Sequence, residues 1–201
     1  YRILAEQNGT SVSINGGAPF ILNAGQRHEV NGNTAPVCIQ ASHPVSVAQL
    51  LEGYSCAGNG DPSLFLTSPA ERMSTHAAWN TSLSSLITQH SVSVVVPVAS
   101  VGQLTLDGTL VPASQFQAYP GCTDRKHVKL TVAPGRHELA ASNGFQAYTF
   151  GTGYGESYAA SVHDIHAIPV QQDSIVCGNG QLTLNVPEPL TGPVWVNAAD
   201  P

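Results

Sequence analysis

Short alternating runs punctuated by turn dipeptides, written twice along the chain, limit what this sequence can fold into more than any other feature. Residues 10–49 read TSVSING, NAGQRHEV and ASHPVSVAQ, and residues 103–149 read QLTLDG, VAPGRHEL and ASNGFQAYT. In each copy a run ends in Asn15-Gly16 or Asp107-Gly108, a turn at Gly25 or Gly135 feeds Arg-His-Glu, and an Ala-Ser turn leads into another run. Strand side chains alternate between two faces, and Asn-Gly or Asp-Gly supplies the left-handed backbone of a tight hairpin, so this grammar writes paired strands. Runs at Arg2 to Ala5, Phe20 to Leu22, Val37 to Gln40, Val45 to Leu51, Ser91 to Val96, Val128 to Val132, His137 to Ala140 and Phe145 to Phe150 extend the pattern. Strands this short and frequent predict an all-β sandwich, jelly-roll or immunoglobulin-like, built from two related halves of about residues 1–52 and 91–160.

Between the halves, residues 53–90 read as a long loop. A connection of that length in a compact domain is ordered by its own contacts, and Phe65, Met73 and Trp79 supply side chains to pack it across the sandwich. The only helical spacing, Trp79, Leu83, Leu86 and Ile87, is diluted by Ser and Thr and predicts a loop or one short turn. The first domain is read as ending near residue 168. Residues 169–201 hold three further strand candidates and Trp195, and read as the opening strands of a truncated immunoglobulin-like or PKD-like domain. The chain has no initiator Met and no charged-then-apolar leader, which fits a segment cut from something longer.

Only 10% of residues are charged, and 13 acids against 7 bases give a formal charge of −6. That composition fits a secreted β-protein and speaks against nucleic acid, whose phosphates require a basic face. No apolar run reaches the roughly 20 residues of a spanning helix. Four cysteines allow three complete pairings. Cys56 and Cys122 both lie in Gly- and Pro-rich loops, where a bridge would replace missing core, and are read as a disulfide. Cys38 sits in the apolar run Val37-Cys38-Ile39 as a buried thiol, and the pairing of Cys177 stays open.

Candidate chemistry is sparse. Gly155-Glu156-Ser157-Tyr158-Ala159 approaches the nucleophile elbow of hydrolases, with His163 and Asp164 nearby, but that elbow must feed a helix and none is written here. His163, His166 and Asp164 lack the further ligands a metal needs, so no metal and no cofactor is assigned. His28 and His137, each between Arg and Glu, are read as sharing one structural job in the two copies. Asn8-Gly9-Thr10 and Asn80-Thr81-Ser82 fit the glycosylation sequon, which places them at the surface.

The series ILAEQNGTSVSING, SHPVSVAQ, SCAGNGDPS, LTLDG, YPGCTD, VAPGRHEL and GFQAYTFGTGYGESY resembles the N-terminal domain family of IgGFc-binding proteins over about residues 1–160. It is similar in particular to the bacterial branch found in large secreted proteins of gliding and related Bacteroidota. The family's own N-terminal portion is missing, and Ser68-Pro69-Ala70-Glu71-Arg72 replaces a Pro-Pro-x-Glu-Gln type stretch. The resemblance implies an extracellular, non-enzymatic β module of a cell-surface protein serving adhesion or capture, with a protein or glycan on another surface as partner. Neighbouring copies of itself are the alternative, in an architectural or oligomerising unit, and a serine hydrolase using Ser157 and His163 is the remote one. Loops 53–80, 119–126 and 151–158 have the Tyr, Asn, Gly and Ser composition of adaptable contact surfaces, and from them Tyr54, Phe65, Tyr119, Arg125, Tyr154 and Tyr158 are taken as binding candidates.

Overall fold

The computed structural model describes residues 1–32 and 35–163; the readings made for residues 164–201, including Asp164, His166, Cys177 and Trp195, lie outside them. Seven strands come first: β1 (Arg2–Ala5), β2 (Thr10–Ile14), β3 (Phe20–Leu22), β4 (Arg27–Glu29), β5 (Ile39–Ala41), β6 (Val45–Leu51) and β7 (Ser63–Leu66). They form an antiparallel sheet in the order β4-β1-β6-β7 and a second in the order β3-β2-β5. Every other residue of β1 and β2 points inward, so Ile3, Ala5, Val12 and Leu22 close a small core together with Ile14, Phe20, Ile39, Val45 and Val47.

The second lobe is built from β8 (Ser74–Asn80), β9 (Ile87–Pro97), β10 (Thr105–Leu106), β11 (Thr109–Leu110), β12 (Gln117–Tyr119), β13 (Cys122–Val132), β14 (Arg136–Gly153) and β15 (Glu156–Val162). All eight belong to one hydrogen-bonded network, and β14 is its hub. The first part of β14 pairs with β8 and β10, through His137 with Trp79 and Leu139 with Leu106. Its last part pairs with β9 and β15, through Ala147 with Val94 and Phe150 with Ala159. The register breaks between Ala140 and Phe145, where the strand passes from one sheet to the other as corner strands of sandwiches do. The two faces so formed close over Val92, Val94, Val96, Val128, Leu130, Leu139, Phe145 and Ala147. Alternation of Val with Ser along β9 is what sends one face into this core, where each fully buried Val or Leu contributes roughly 1.5–3 kcal/mol.

The all-β expectation therefore holds, with a sandwich-like arrangement of antiparallel sheets, and three readings are corrected. Residues 53–90 are not a loop packed across the sandwich: they supply β7 and β8 and a single helical turn, α1 (Tyr54–Ala57). The repeated hairpin tips do adopt one conformation. Asn15 and Asp107 have φ of 53° and 51° and are the non-glycine residues in the left-handed region among those described. Each turn then grips a neighbouring strand in the same way. The Asn15 N–H donates to the Cys38 carbonyl and the Cys38 N–H to Asn15 Oδ1, both at 2.8 Å. Asp107 and Glu138 repeat this exchange at 2.9 and 2.8 Å. The Arg-His-Glu repeats, in contrast, share no job. His28 lies on edge strand β4 with its ring 4.4 Å from that of Phe20. His137 is buried beside Trp79, with Nδ1 2.8 Å from Asp107 Oδ2 and Nε2 2.7 Å from the Ala133 carbonyl.

The third correction concerns the bridge, which joins Cys38 to Cys122 across 84 residues with Cα atoms 6.0 Å apart, while Cys56 is a free, exposed thiol on α1. The Asn15-Gly16 turn explains the choice. It holds Cys38 on one side and packs against Gly121 on the other, so closely that a Cβ at Gly121 would lie 2.3 Å from the Asn15 carbonyl carbon. Cys122 is thereby delivered to Cys38 at a spacing a disulfide can span.

Replacing Cys38 and Cys122 together by Ser should lower unfolding free energy by about 2–4 kcal/mol in urea denaturation, as loss of a bridge closing a long loop does. Cys56→Ser should leave the midpoint unchanged; equal losses from the two variants would contradict this pairing.

Candidate functional site

Three loops meet at one end of the second lobe. The β14–β15 hairpin pairs Thr152 with Ser157 and Gly153 with Glu156, leaving Tyr154-Gly155 as its tip. Residues 53–62 dock beside it: the Gly60 N–H donates to the Gly153 carbonyl at 2.8 Å and Asn59 Nδ2 to Thr152 Oγ1 at 3.3 Å. Ser157 Oγ donates to the Asp61 carbonyl and lies 2.7 Å from Ser63 Oγ. Residues 82–86, between β8 and β9, close the third side, and a Cβ at Gly153 would run into the Leu86 carbonyl. Only glycine allows that approach.

On this platform Tyr54 and Tyr154, 100 positions apart in sequence, meet edge to face with ring centroids 5.5 Å apart. They are 51% and 78% exposed, and Leu83 and Leu86 of the third loop are 80% and 51% exposed. Rigid aromatic rings on loops braced by a sheet make contact area at low cost in side-chain entropy. Tyr158 lies on β15 of the same hairpin. Its ring covers Gly151 and its hydroxyl is 2.9 Å from Nδ1 of His90, with burial raising the phenol's pKa. His90 is buried on the core side of β9, and its Nε2 has no partner among the described residues.

The other three candidates lie where the two lobes meet. Phe65 is 7% exposed and stacks on Tyr148, with ring centroids 5.2 Å apart. Tyr119 lies edge-on to His127, and burial, then the neighbouring Tyr1 and Tyr148, push its phenol up to about 12. Tyr1 and Tyr148 are raised too, chiefly by burial. Arg125 holds the segment before β8 through the Ala70 carbonyl at 3.4 Å and Met73 Sδ at 3.6 Å. Gln146 Nε2 supports the same segment, donating to the Ser68 carbonyl at 3.0 Å. These side chains join the lobes, while the Tyr54 and Tyr154 rings face solvent.

Two features were not read from the sequence as contact surface. Leu83 and Leu86 sit in a Ser-rich stretch that gives no sign of exposure at a shared tip. The outer face of the β4-β1-β6-β7 sheet carries Leu4, Leu50, Leu64 and Leu66, each between 38% and 62% exposed, which strand register places on one side. A groove of about 610 Å³ continues from Leu64 and Leu66 past Pro69 and Arg72 to Ser161.

The hydrolase pair is not assembled. Ser157 and His163 stand six positions apart along one extended segment, about 20 Å at strand rise, and Ser157 spends its hydroxyl on the 53–63 loop. Among the described residues no three His, Cys, Asp or Glu side chains gather to hold a metal, and no helix is long and apolar enough to cross a membrane.

The tyrosine cluster between the lobes predicts a pH dependence. A phenol whose folded pKa exceeds its ordinary value of 10 stabilises the fold fully below pH 10, and that contribution is lost as pH climbs through the folded value. Unfolding free energy should fall between about pH 10 and pH 12, and Tyr119→Phe should flatten that fall. A variant that follows the unmodified curve would place the alkaline loss elsewhere.

No curated protein and no solved structure matches the chain. The model of the family described as IgGFc binding protein does, over residues 1–151, which take in the first lobe and the second as far as Gly151 near the end of β14. The chain belongs to the IgGFc-binding protein family.

Proposed function

We propose that this chain is a non-enzymatic binding module of a secreted cell-surface protein, one that engages a partner on another surface through the tip formed by Tyr54 and Tyr154. The observation that carries this reading is the pairing of two exposed tyrosines from distant loops on a hydrogen-bonded platform. A pair held open to solvent contributes nothing to the core, and aromatic side chains dominate contact energy in protein interfaces. Membership of a binding-protein family, the Cys38–Cys122 bridge and the low content of charged residues support an extracellular setting. The reading takes the surface proteins of Bacteroidota, which the sequence resembles, as that setting's context. Immunoglobulin Fc, for which the family is named, is not part of the reading, because no residue set for it is matched.

A second reading is favoured by a separate observation. The leucines on the outer face of β1, β6 and β7 form an apolar patch of the kind that marks contact surfaces, and they would serve an architectural unit packing against its neighbours.

Both readings are open to direct test. Tyr54→Ser/Tyr154→Ser should keep the far-ultraviolet dichroism of the unmodified chain and weaken its retention on a panel of immobilised extracellular proteins and glycans at least about tenfold, as hot-spot loss does. Retention equal to that of the unmodified chain would remove the tip from the site. In light scattering after size exclusion, a strict monomer sinks the architectural reading. An oligomer that Leu64→Ser/Leu66→Ser dissociates supports it.

A further inference from the structure

The segments that build the tip, residues 51–62, 82–86 and 151–158, contain Glu52, Asp61 and Glu156 and no Lys, Arg or His. All three acids are exposed. Ion pairs among the described residues engage Glu29, Glu138, Asp124 and Asp107, so among these residues the carboxylates of the tip loops have no cation beside them. Two of the polar side chains on these loops are engaged within the tip. Asn59 is held by Thr152 and Gly60, and Ser157 by the Asp61 carbonyl.

From this arrangement we infer that the tip takes a protein surface presenting arginine or lysine side chains, an assignment that rests on the tip being the binding surface. A cation is attracted to the face of an exposed tyrosine ring, and a guanidinium also stacks on it. Carboxylates on the same loops as the rings steer such a group in and complete its hydrogen bonds. Leu83 and Leu86 give the apolar stems of Lys and Arg a surface to lie on. Anionic partners, including acidic lipid surfaces and nucleic acid, meet like charge here.

The test titrates the isotope-labelled full chain with a twelve-residue peptide alternating Gly and Arg, and separately with its Gly–Glu counterpart, following amide and tyrosine ring resonances. The Gly–Arg peptide should shift Tyr54, Tyr154 and Glu156, with affinity falling about tenfold between about 20 mM and about 200 mM salt, while the Gly–Glu peptide leaves them unmoved. Glu52→Gln/Asp61→Asn/Glu156→Gln, whose spectrum away from the tip should be unchanged, should remove that response. Shifts spread over the rest of the surface, equal response to both peptides, or undiminished binding by the charge variant would each overturn the inference. If the two tyrosine substitutions weaken retention on the immobilised panel while the charge variant does not, the tip stands as a binding surface and its basic partner falls.

Discussion

Pairing along β14 is the interaction on which the rest of the structure depends. Eighteen residues from Arg136 to Gly153 hydrogen-bond to four other strands, change sheet at the break between Ala140 and Phe145, and carry Leu139, Phe145 and Ala147 into the same core. The strand that organises the second lobe also ends in the Tyr154 turn. Its final residues receive the 53–62 loop through the Gly153 carbonyl and pack on Leu86 through the bare Gly153 Cα. Tyr154 thus extends the most heavily paired strand among the described residues, and Tyr54 is docked on it through the 53–62 loop, which restricts their motion and lowers the entropy lost on contact.

Where the lobes meet, side chains that look like surface binders in the sequence are spent on architecture. Phe65, Tyr119 and Tyr148 bury their rings there, Arg125 and Gln146 hold the segment before β8, and the Asn15-Gly16 turn presses on Gly121 while the Cys38–Cys122 bridge closes beside it. Polar aromatic residues suit such a joint because their rings bury area while their hydroxyls still find partners, as Tyr148 does with the Ser68 N–H at 3.1 Å.

Much of the fold was legible because strands with one buried face declare themselves by alternation. Arg2–Ala5, Phe20–Leu22 and Val45–Leu51 read with their observed bounds, and Asn15-Gly16 and Asp107-Gly108 read as left-handed turns. β7 and β8 were missed because SLFL follows a Gly- and Pro-rich loop without alternation and STHAAWN is too polar to announce a strand; their pairing is dictated by β6 and β14. Identical Arg-His-Glu words acquired different jobs because their neighbours come from tertiary contacts the local sequence does not encode. The cysteine pairing followed from the same source, since the packing of Gly121 on a distant turn decides which sulfur is within reach. Of the candidate site, loop composition pointed to Tyr54 and Tyr154 separately, but their meeting required the docking of residues 53–62 on the β14–β15 hairpin.

The tip proposed to bind, if braced by a continuous strand, has a distinct local stability. Native-state hydrogen exchange along β14 tests it most directly, because cooperative units are revealed by amides that open together. Amides at residues 137–140 and 146–152 should share the slowest exchange and the same dependence on denaturant, with the hairpin carrying Tyr154 opening only when the second lobe unfolds. Separate, faster opening of residues 146–152 together with β15 would contradict the account, leaving the tip on a loosely attached flap instead of a rigid strand.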